Sequence, residues 1–208
     1  TTGREAPGSL TLVRLDSQQS LDLFDSLADP EADALKSEGF LGLVQWGLDL
    51  QAADGIPRLE GSVRGWPWLH YHAFLSGIER FGDVLRGTAP ILPSKFVVVA
   101  PVTIPPWPAV TSGGCRKVEV KGLTPIRQGK CFWHDVRIDQ ENQEIHTAGL
   151  DGMVAVVRGE GGTVEWARAQ ALELAQAIDL PEKQYRPDMA AAVGQVLGGL
   201  EGGLGLLV

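Results

Sequence analysis

The stretch ADGIPRLEGSVRGWPW, residues 53–68, constrains the fold most. Asp54-Gly55 stands between two apolar runs, and Asp-Gly supplies the positive backbone angles that a tight hairpin turn needs. Phe40–Leu50 and Ile56–Val63 are therefore predicted to pair as antiparallel strands. The second strand carries a carboxylate, a hydroxyl and a guanidinium at alternate positions, Glu60, Ser62 and Arg64. Side chains two apart on a strand share a face. Arg suits a phosphate, because its planar fork pairs two oxygens at once. A carboxylate and a hydroxyl suit Mg²⁺, which takes oxygen ligands and shares them with substrate phosphates. Alternation of this kind is also what a half-exposed polar strand shows.

The chain is 208 residues long, enough to bury a core. Hydrophobic residues make up 44% and charged residues 21%, the balance of an ordinary globular protein. The formal net charge of −8 argues against nucleic acid or an anionic membrane as the main partner, since both select a basic face. One basic cluster, Arg116, Lys117, Lys121, Arg127 and Lys130, reads as solvated loop charge. Two cysteines, Cys115 and Cys131, make neither a disulfide framework nor a zinc site. With no signal peptide and no apolar run of spanning length, the expected setting is cytoplasmic. An N-terminal Thr can be an autoprocessed nucleophile, but Thr1 is expected to be a trimmed end.

Along the chain, Leu10–Leu15 reads as a short strand and a helix begins near Ser20. Asp29-Pro30-Glu31 starts another, with an N-cap acid and proline in the first turn, ending at Gly39. Pro67–Arg86 has helical spacing, with Phe74, Leu75, Ile78, Phe81 and Leu85 on one core stripe. His70 and His72 are two apart there, a poor spacing for a joint metal site. Thr88–Ser94 is the expected domain boundary. Lys95–Thr103 is a continuous apolar strand of the kind buried on both faces, and Ile104–Pro108 is a stiff, extended corner. Cys115–Val120, Cys131–Ile138, Glu144–Thr147 and Gly152–Arg158 form short β pieces of one small antiparallel sheet. Thr163 caps a helix over Val164–Ile178. His134 and Asp135 are neighbours on a strand and face opposite ways, which argues against a hydrolytic pair.

The order of these elements, with several motifs, resembles the C-terminal half of the phosphoribosylamine–glycine ligase family of the ATP-grasp superfamily. LKSEGFLGLVQWGLDL (35–50) is similar to the family's Leu-x-x-Glu-Gly-x-x-Gly strand entry. DGIPRLEGSVRG (54–65) is similar to its Asp-Gly followed by Glu-Phe-Asn-x-Arg-Phe. KFVVVAPVTIPPWP (95–108) resembles the strand opening the C-terminal domain, in the Ile-Pro-Pro-Tyr-Pro version of divergent, often phage-borne relatives. GGTVEWARAQALELAQAI and QYRPDMAAAV resemble the closing helix and the Tyr-Arg-x-Asp-Ile-Gly end. The resemblance covers about residues 20–193.

The resemblance implies an α+β chain: a partial ATP-grasp subdomain (antiparallel sheet with helices) over residues 1–90, then a small antiparallel β domain with a packed C-terminal helix over 91–196. A Gly-rich tail over 197–208 follows. It implies ATP and Mg as cofactors, Glu60 and Ser62 as metal positions, Glu60 and Arg64 as nucleotide-binding positions, and Arg64 as the catalytic group. This sequence departs from the family where Ser62 replaces an Asn ligand. It departs again where Gly65-Trp66-Pro67-Trp68 replaces Phe-Gly-Asp-Pro-Glu. No Gly-rich phosphate loop occurs. The expectation is a degenerate, non-catalytic module that binds other protein subunits, with Trp66, Trp68 and Trp107 as anchors, and virion-associated if phage-encoded. The alternative is the C-terminal half of an active carboxylate–amine ligase completed by an N-terminal half or partner.

Overall fold

The computed structural model describes residues 10–12, 25, 31–40, 44–49, 58–64, 72–73, 75–76, 80–86, 96–191 and 193. The chain divides into two compact units. One comprises Thr1–Val13 and Leu69–Gly194, the other Arg14–Trp68 and Gln195–Val208. The boundary expected in Thr88–Ser94, the helix near Ser20 and the Gly-rich tail lie outside the described residues.

The larger unit is built on strand β4, Phe96–Thr103, and strand β9, Met153–Gly161, which pair antiparallel from Phe96↔Gly161 to Thr103↔Met153. Strands β1 (Leu10–Leu12) and β6 (Cys131–Trp133) flank them in the order β1-β4-β9-β6. Every second side chain of β4 turns to one face, as strand geometry dictates. Val98, Ala100 and Val102 join Ala155 and Val157 in the main core. Val97 and Val99 join Val156 and Ala73 in a second cluster on the other face. The continuous apolar run was thus a correct sign of a strand buried on both sides. Each fully buried Val contributes roughly 1.5–3 kcal/mol, so β4 anchors the unit.

Helix α3, Val164–Ala177, covers the first face. The Thr163 hydroxyl accepts from the Trp166 N–H and caps its start. Val164, Ala167, Ala171, Leu174 and Ala175 are buried, following the three-and-four spacing. Its last carbonyls have a partner outside the helix: the Lys183 ammonium donates to the carbonyls of Ala175, Gln176 and Ile178. The helix lies close to the sheet because Gly159 has no side chain. A Cβ there would sit 1.9 Å from the Ala167 carbonyl oxygen.

The short β pieces do not form one sheet. The segment expected over Cys131–Ile138 splits at Asp135, whose φ is +34°, into β6 and β7 (Val136–Ile138). Strand β6 joins the core sheet, whereas β7 pairs with β8 (Ile145–Thr147), which pairs with β5 (Glu119–Val120). The corner after β4 is also not extended. Residues 105–108 form a turn in which the Trp107 N–H donates to the Ile104 carbonyl, with cis bonds at Pro105–Pro106 and Trp107–Pro108. A short helix α2, Pro125–Gln128, precedes β6.

The helix expected over Pro67–Arg86 is not continuous. Residues 72–73 and 75–76 are helical, Arg80 is not, and helix α1 then spans Phe81–Leu85. The glycines at 77 and 82 lower helix propensity on both sides of the break. Asp83 holds the new turn, its N–H bonded to the Arg80 carbonyl and its carboxylate paired with Arg80 and Arg86. Of the expected core stripe, Leu75 and Phe81 are half-buried, and Ala73 and Ser76 are the buried positions. Phe74, Ile78 and the Leu85 side chain lie outside the described residues.

In the smaller unit a helix covers residues 31–37. It ends as expected at Gly39, φ +71°, where the Phe40 N–H reaches back to the Leu35 carbonyl at 3.0 Å. Strands β2 (Val44–Asp49) and β3 (Arg58–Arg64) pair antiparallel as predicted.

Gly159→Ala is expected to destabilise the chain by about 1–3 kcal/mol, because the helix must shift to admit the methyl group. A thermal midpoint equal to that of the parent protein would refute the seating of α3 on β9. Burial pushes the Cys131 thiol up to about 11, with Arg158 opposing the shift. Since the thiolate is the reactive form, Cys131 should resist alkylation at pH 8 in the native chain and react readily in denaturant. Equal labelling rates, read by mass spectrometry, would contradict its burial.

Candidate functional site

The β2–β3 hairpin carries the three residues singled out from spacing. Its register runs Val44↔Arg64, Gln45↔Val63, Trp46↔Ser62 and Gly47↔Gly61, then resumes at Leu48↔Leu59. The shift between Gly47 and Leu48 leaves Glu60 as the extra residue of a β-bulge on β3. Ser62 and Arg64 therefore share an unbroken stretch of ladder, while the two-residue alternation is interrupted at Glu60. Bulges bend a strand locally and re-aim a side chain, and they are over-represented beside active sites. Periodicity alone gave no sign of this one, although Gly61 is the residue type that often marks a bulge. The side chains of Glu60, Ser62 and Arg64, like residues 65–68 with Trp66 and Trp68, lie outside the described residues.

In the larger unit, loops gather at the end of the core sheet where β4 stops and β9 begins. The Ile104 N–H donates to the Gly152 carbonyl at 2.9 Å, and the Cys115 N–H donates to the Gly149 carbonyl at 2.9 Å. Gly152, φ +80°, lies so close to Ile104 that a Cβ would come within 2.1 Å of its carbonyl oxygen. Thr147 is buried and ties the loop down. Its hydroxyl donates to the Arg116 carbonyl at 2.7 Å and accepts from the Val118 N–H at 2.9 Å. Between these loops lies a cavity of about 340 Å³. Its lining includes Ser112, Gly113, Cys115, Lys117, Arg137 and Thr147, and no carboxylate. Two cations beside glycine backbone suit a small anion.

The basic cluster read from the sequence is divided by the fold. Lys121 pairs with Glu119 at 2.8 Å and Arg127 with Glu173, as solvated surface ion pairs. Lys117 instead lines the cavity beside Arg137, a residue the sequence did not single out. Only the pairing of β7 with β8 brings Arg137 there.

The stretch Tyr185–Asp188 fastens the chain after α3. Arg186 meets the Asp188 carboxylate with two hydrogen bonds, 2.6 and 2.5 Å, which hold that carboxyl down at about 2. Arg168 on α3 donates to the carbonyls of Pro187 and Met189, and Gln184 exchanges backbone bonds with Thr103 on β4. Most of these polar groups are committed to holding the segment against the sheet and helix.

His134 and Asp135 sit where β6 gives way to β7, and Asp135 turns away toward Gly149. His134 faces His72 instead, their Nε2 atoms 3.1 Å apart. Burial, and then the neighbouring His72, push the His134 imidazole below its ordinary range, so it favours the neutral form. Nothing in the sequence spacing, 62 residues apart, pointed to that pair.

No protein-family model matches the chain, and no curated protein matches it. Solved structures do. The phosphoribosylamine–glycine ligase of Thermotoga maritima superposes with a TM-score of 0.65 at 22% identity, over 88% of this chain and 46% of that one. The biotin carboxylase domain of a single-chain bacterial carboxylase follows, with a TM-score of 0.46, 13% identity, and coverage of 91% and 49%. The L-amino acid ligase of Bacillus licheniformis gives 0.43, 14%, and coverage of 82% and 45%. The chain spans about half the length of the structures it matches. Its architecture is α+β, a partial ATP-grasp fold of antiparallel sheets and helices.

Proposed function

We propose that this chain is a degenerate ATP-grasp half of the phosphoribosylamine–glycine-ligase type, acting as a structural or protein-interaction module. The observation that carries the reading is the composition of β3 and the four residues after it. The hairpin that would grip metal and phosphate is kept, with Glu60 and Arg64, but Ser62 stands at the position of a carbonyl ligand. No acid follows in Gly65–Trp68. A hydroxyl is shorter than an Asn amide and presents one oxygen, so Mg²⁺ at this site has one strong protein ligand. A binding role also draws support from exposed apolar side chains: Val110 is 69% exposed, Leu150 56% and Trp166 63%. The loops that carry Val110 and Leu150 are joined by the hydrogen bond from the Thr111 N–H to the Leu150 carbonyl. Trp107 is half-buried, which makes it a lesser anchor. The partners expected are other protein subunits, not membrane or nucleic acid. Among the described residues no helix is long and apolar enough to cross a membrane.

A second reading keeps the same fold and restores the chemistry. Here the chain is the C-terminal half of an ATP- and Mg-dependent carboxylate–amine ligase completed by an N-terminal half. Glu60 and Ser62 hold the metal and Arg64 holds the phosphoryl oxygens. The persistence of a carboxylate at a bulge, four residues before an Arg, favours it.

Calorimetric titration of Mg·ATP separates the two. The interaction module predicts no saturation below about 1 mM, equivalent to roughly −4 kcal/mol, and no change in the titration on Glu60→Ala. Tighter binding that weakens at least about tenfold, some 1.4 kcal/mol, in both Glu60→Ala and Arg64→Ala would overturn it and establish the second reading.

A further inference from the structure

The histidine pair on the larger unit has the geometry of a chelate. We propose that His72 and His134 together bind one divalent transition-metal ion of the Zn²⁺, Ni²⁺ or Cu²⁺ type, at a site separate from any magnesium position on the β2–β3 hairpin.

Imidazole nitrogen suits these ions, whereas Mg²⁺ selects oxygen. At a metal–nitrogen distance of about 2.0–2.1 Å, two nitrogens 3.1 Å apart subtend an angle of about 100° at the metal, near tetrahedral. The same ring nitrogen, Nε2, converges from both residues. The ring centroids are 5.0 Å apart and the planes are tilted by 51°. In the metal-free chain one Nε2–H donates to the other Nε2; a chelating ion takes both Nε2 lone pairs while the donor ring's proton moves to its own Nδ1, so that both imidazoles stay neutral.

Both rings are held from outside the pair. The His134 backbone is fixed where its N–H donates to the Val154 carbonyl at 2.9 Å. His72 lies in a helical segment, its carbonyl accepting from the Ser76 hydroxyl at 2.8 Å. The Phe132 ring stands edge-on to His72 at 4.6 Å and limits its rotation. Both residues belong to the larger compact unit. Ligation needs neutral imidazole, the form that burial favours at His134. Asp135 and Asp151 lie near enough to His134 for their charges to act on it, and a dication there gains from both. Arg158, over the Phe132 ring at 5.7 Å, opposes the gain.

Among the described residues no group of three or more His, Cys, Asp or Glu side chains surrounds a common point. The pair supplies two of the ligands that such an ion takes. The expected affinity is therefore micromolar.

The test uses the full chain without a histidine tag, in buffer containing millimolar Mg²⁺, titrated with Zn²⁺ or Ni²⁺ alone. Binding of a single ion in the micromolar range is expected, weakened at least tenfold in both His72→Gln and His134→Gln. His146→Gln, which changes the partly exposed His146–Glu144 pair, should leave the affinity unchanged. Circular dichroism of each variant establishes that it is folded. Should either Gln variant unfold, broadening of both imidazole ring signals by Ni²⁺ in the NMR spectrum of the parent chain replaces it as the criterion. Absence of saturable binding, or affinity unaltered in both Gln variants, would overturn the proposal. Because Mg²⁺ is present throughout, failure here is independent of whether the hairpin binds Mg·ATP.

Discussion

The antiparallel pairing of β4 with β9 is the contact on which the larger unit depends. Both strands are buried, and β4 feeds two separate apolar clusters, one on each face. A strand in that position has no solvent face, so its backbone polar groups must be met by neighbouring strands. β1 on one side and β9 on the other meet those of β4. The loop cluster at the far end inherits its rigidity from the same ladder. Ile104 is the residue after β4, Gly152 the residue before β9, and the hydrogen bond between them closes the end of the sheet. The ends of β4 and β9 are also where α3 and the Tyr185–Asp188 stretch are fastened, through Gly159 and through the Thr103–Gln184 pairing.

That arrangement separates two kinds of chemistry by construction. Glu60, Ser62 and Arg64 fall on the two-stranded hairpin of the smaller unit. The nitrogen pair and the cationic cavity fall on the larger one. A two-stranded ribbon presents ligands from one side only, and Mg²⁺ completes an octahedron with phosphates and water. In the larger unit the cavity lies between loops, and the imidazoles come from the helical segment at His72 and from the junction of β6 and β7.

The residues at the candidate sites differ in how they were found. Glu60, Ser62 and Arg64 stand out by strand periodicity and side-chain chemistry, both of them local properties. The bulge at Glu60 does not, since it is a property of two strands and their register rather than of one. Arg137 was passed over because its exposed β7 looks like any polar edge until β8 places it beside Lys117. His72 was set aside for its spacing from His70, a test confined to one helix. Its neighbour His134 comes from the junction of β6 and β7, 62 residues later.

By itself the sequence determined the elements whose cause lies within a few residues. The paired strands β2 and β3, the uninterrupted apolar β4, the Thr163-capped helix and the Gly39 stop all follow from periodicity, capping or turn chemistry. The order of those elements, with their motifs, resembles an ATP-grasp half, and the fold is similar to that of one such ligase. Tertiary structure alone decided which short strands shared a sheet and where the long helical pattern broke. It also decided which charged groups met one another. Those outcomes turn on contacts between residues far apart in the chain, where one residue of register or a single missing Cβ selects the neighbour, and no local pattern encodes that choice.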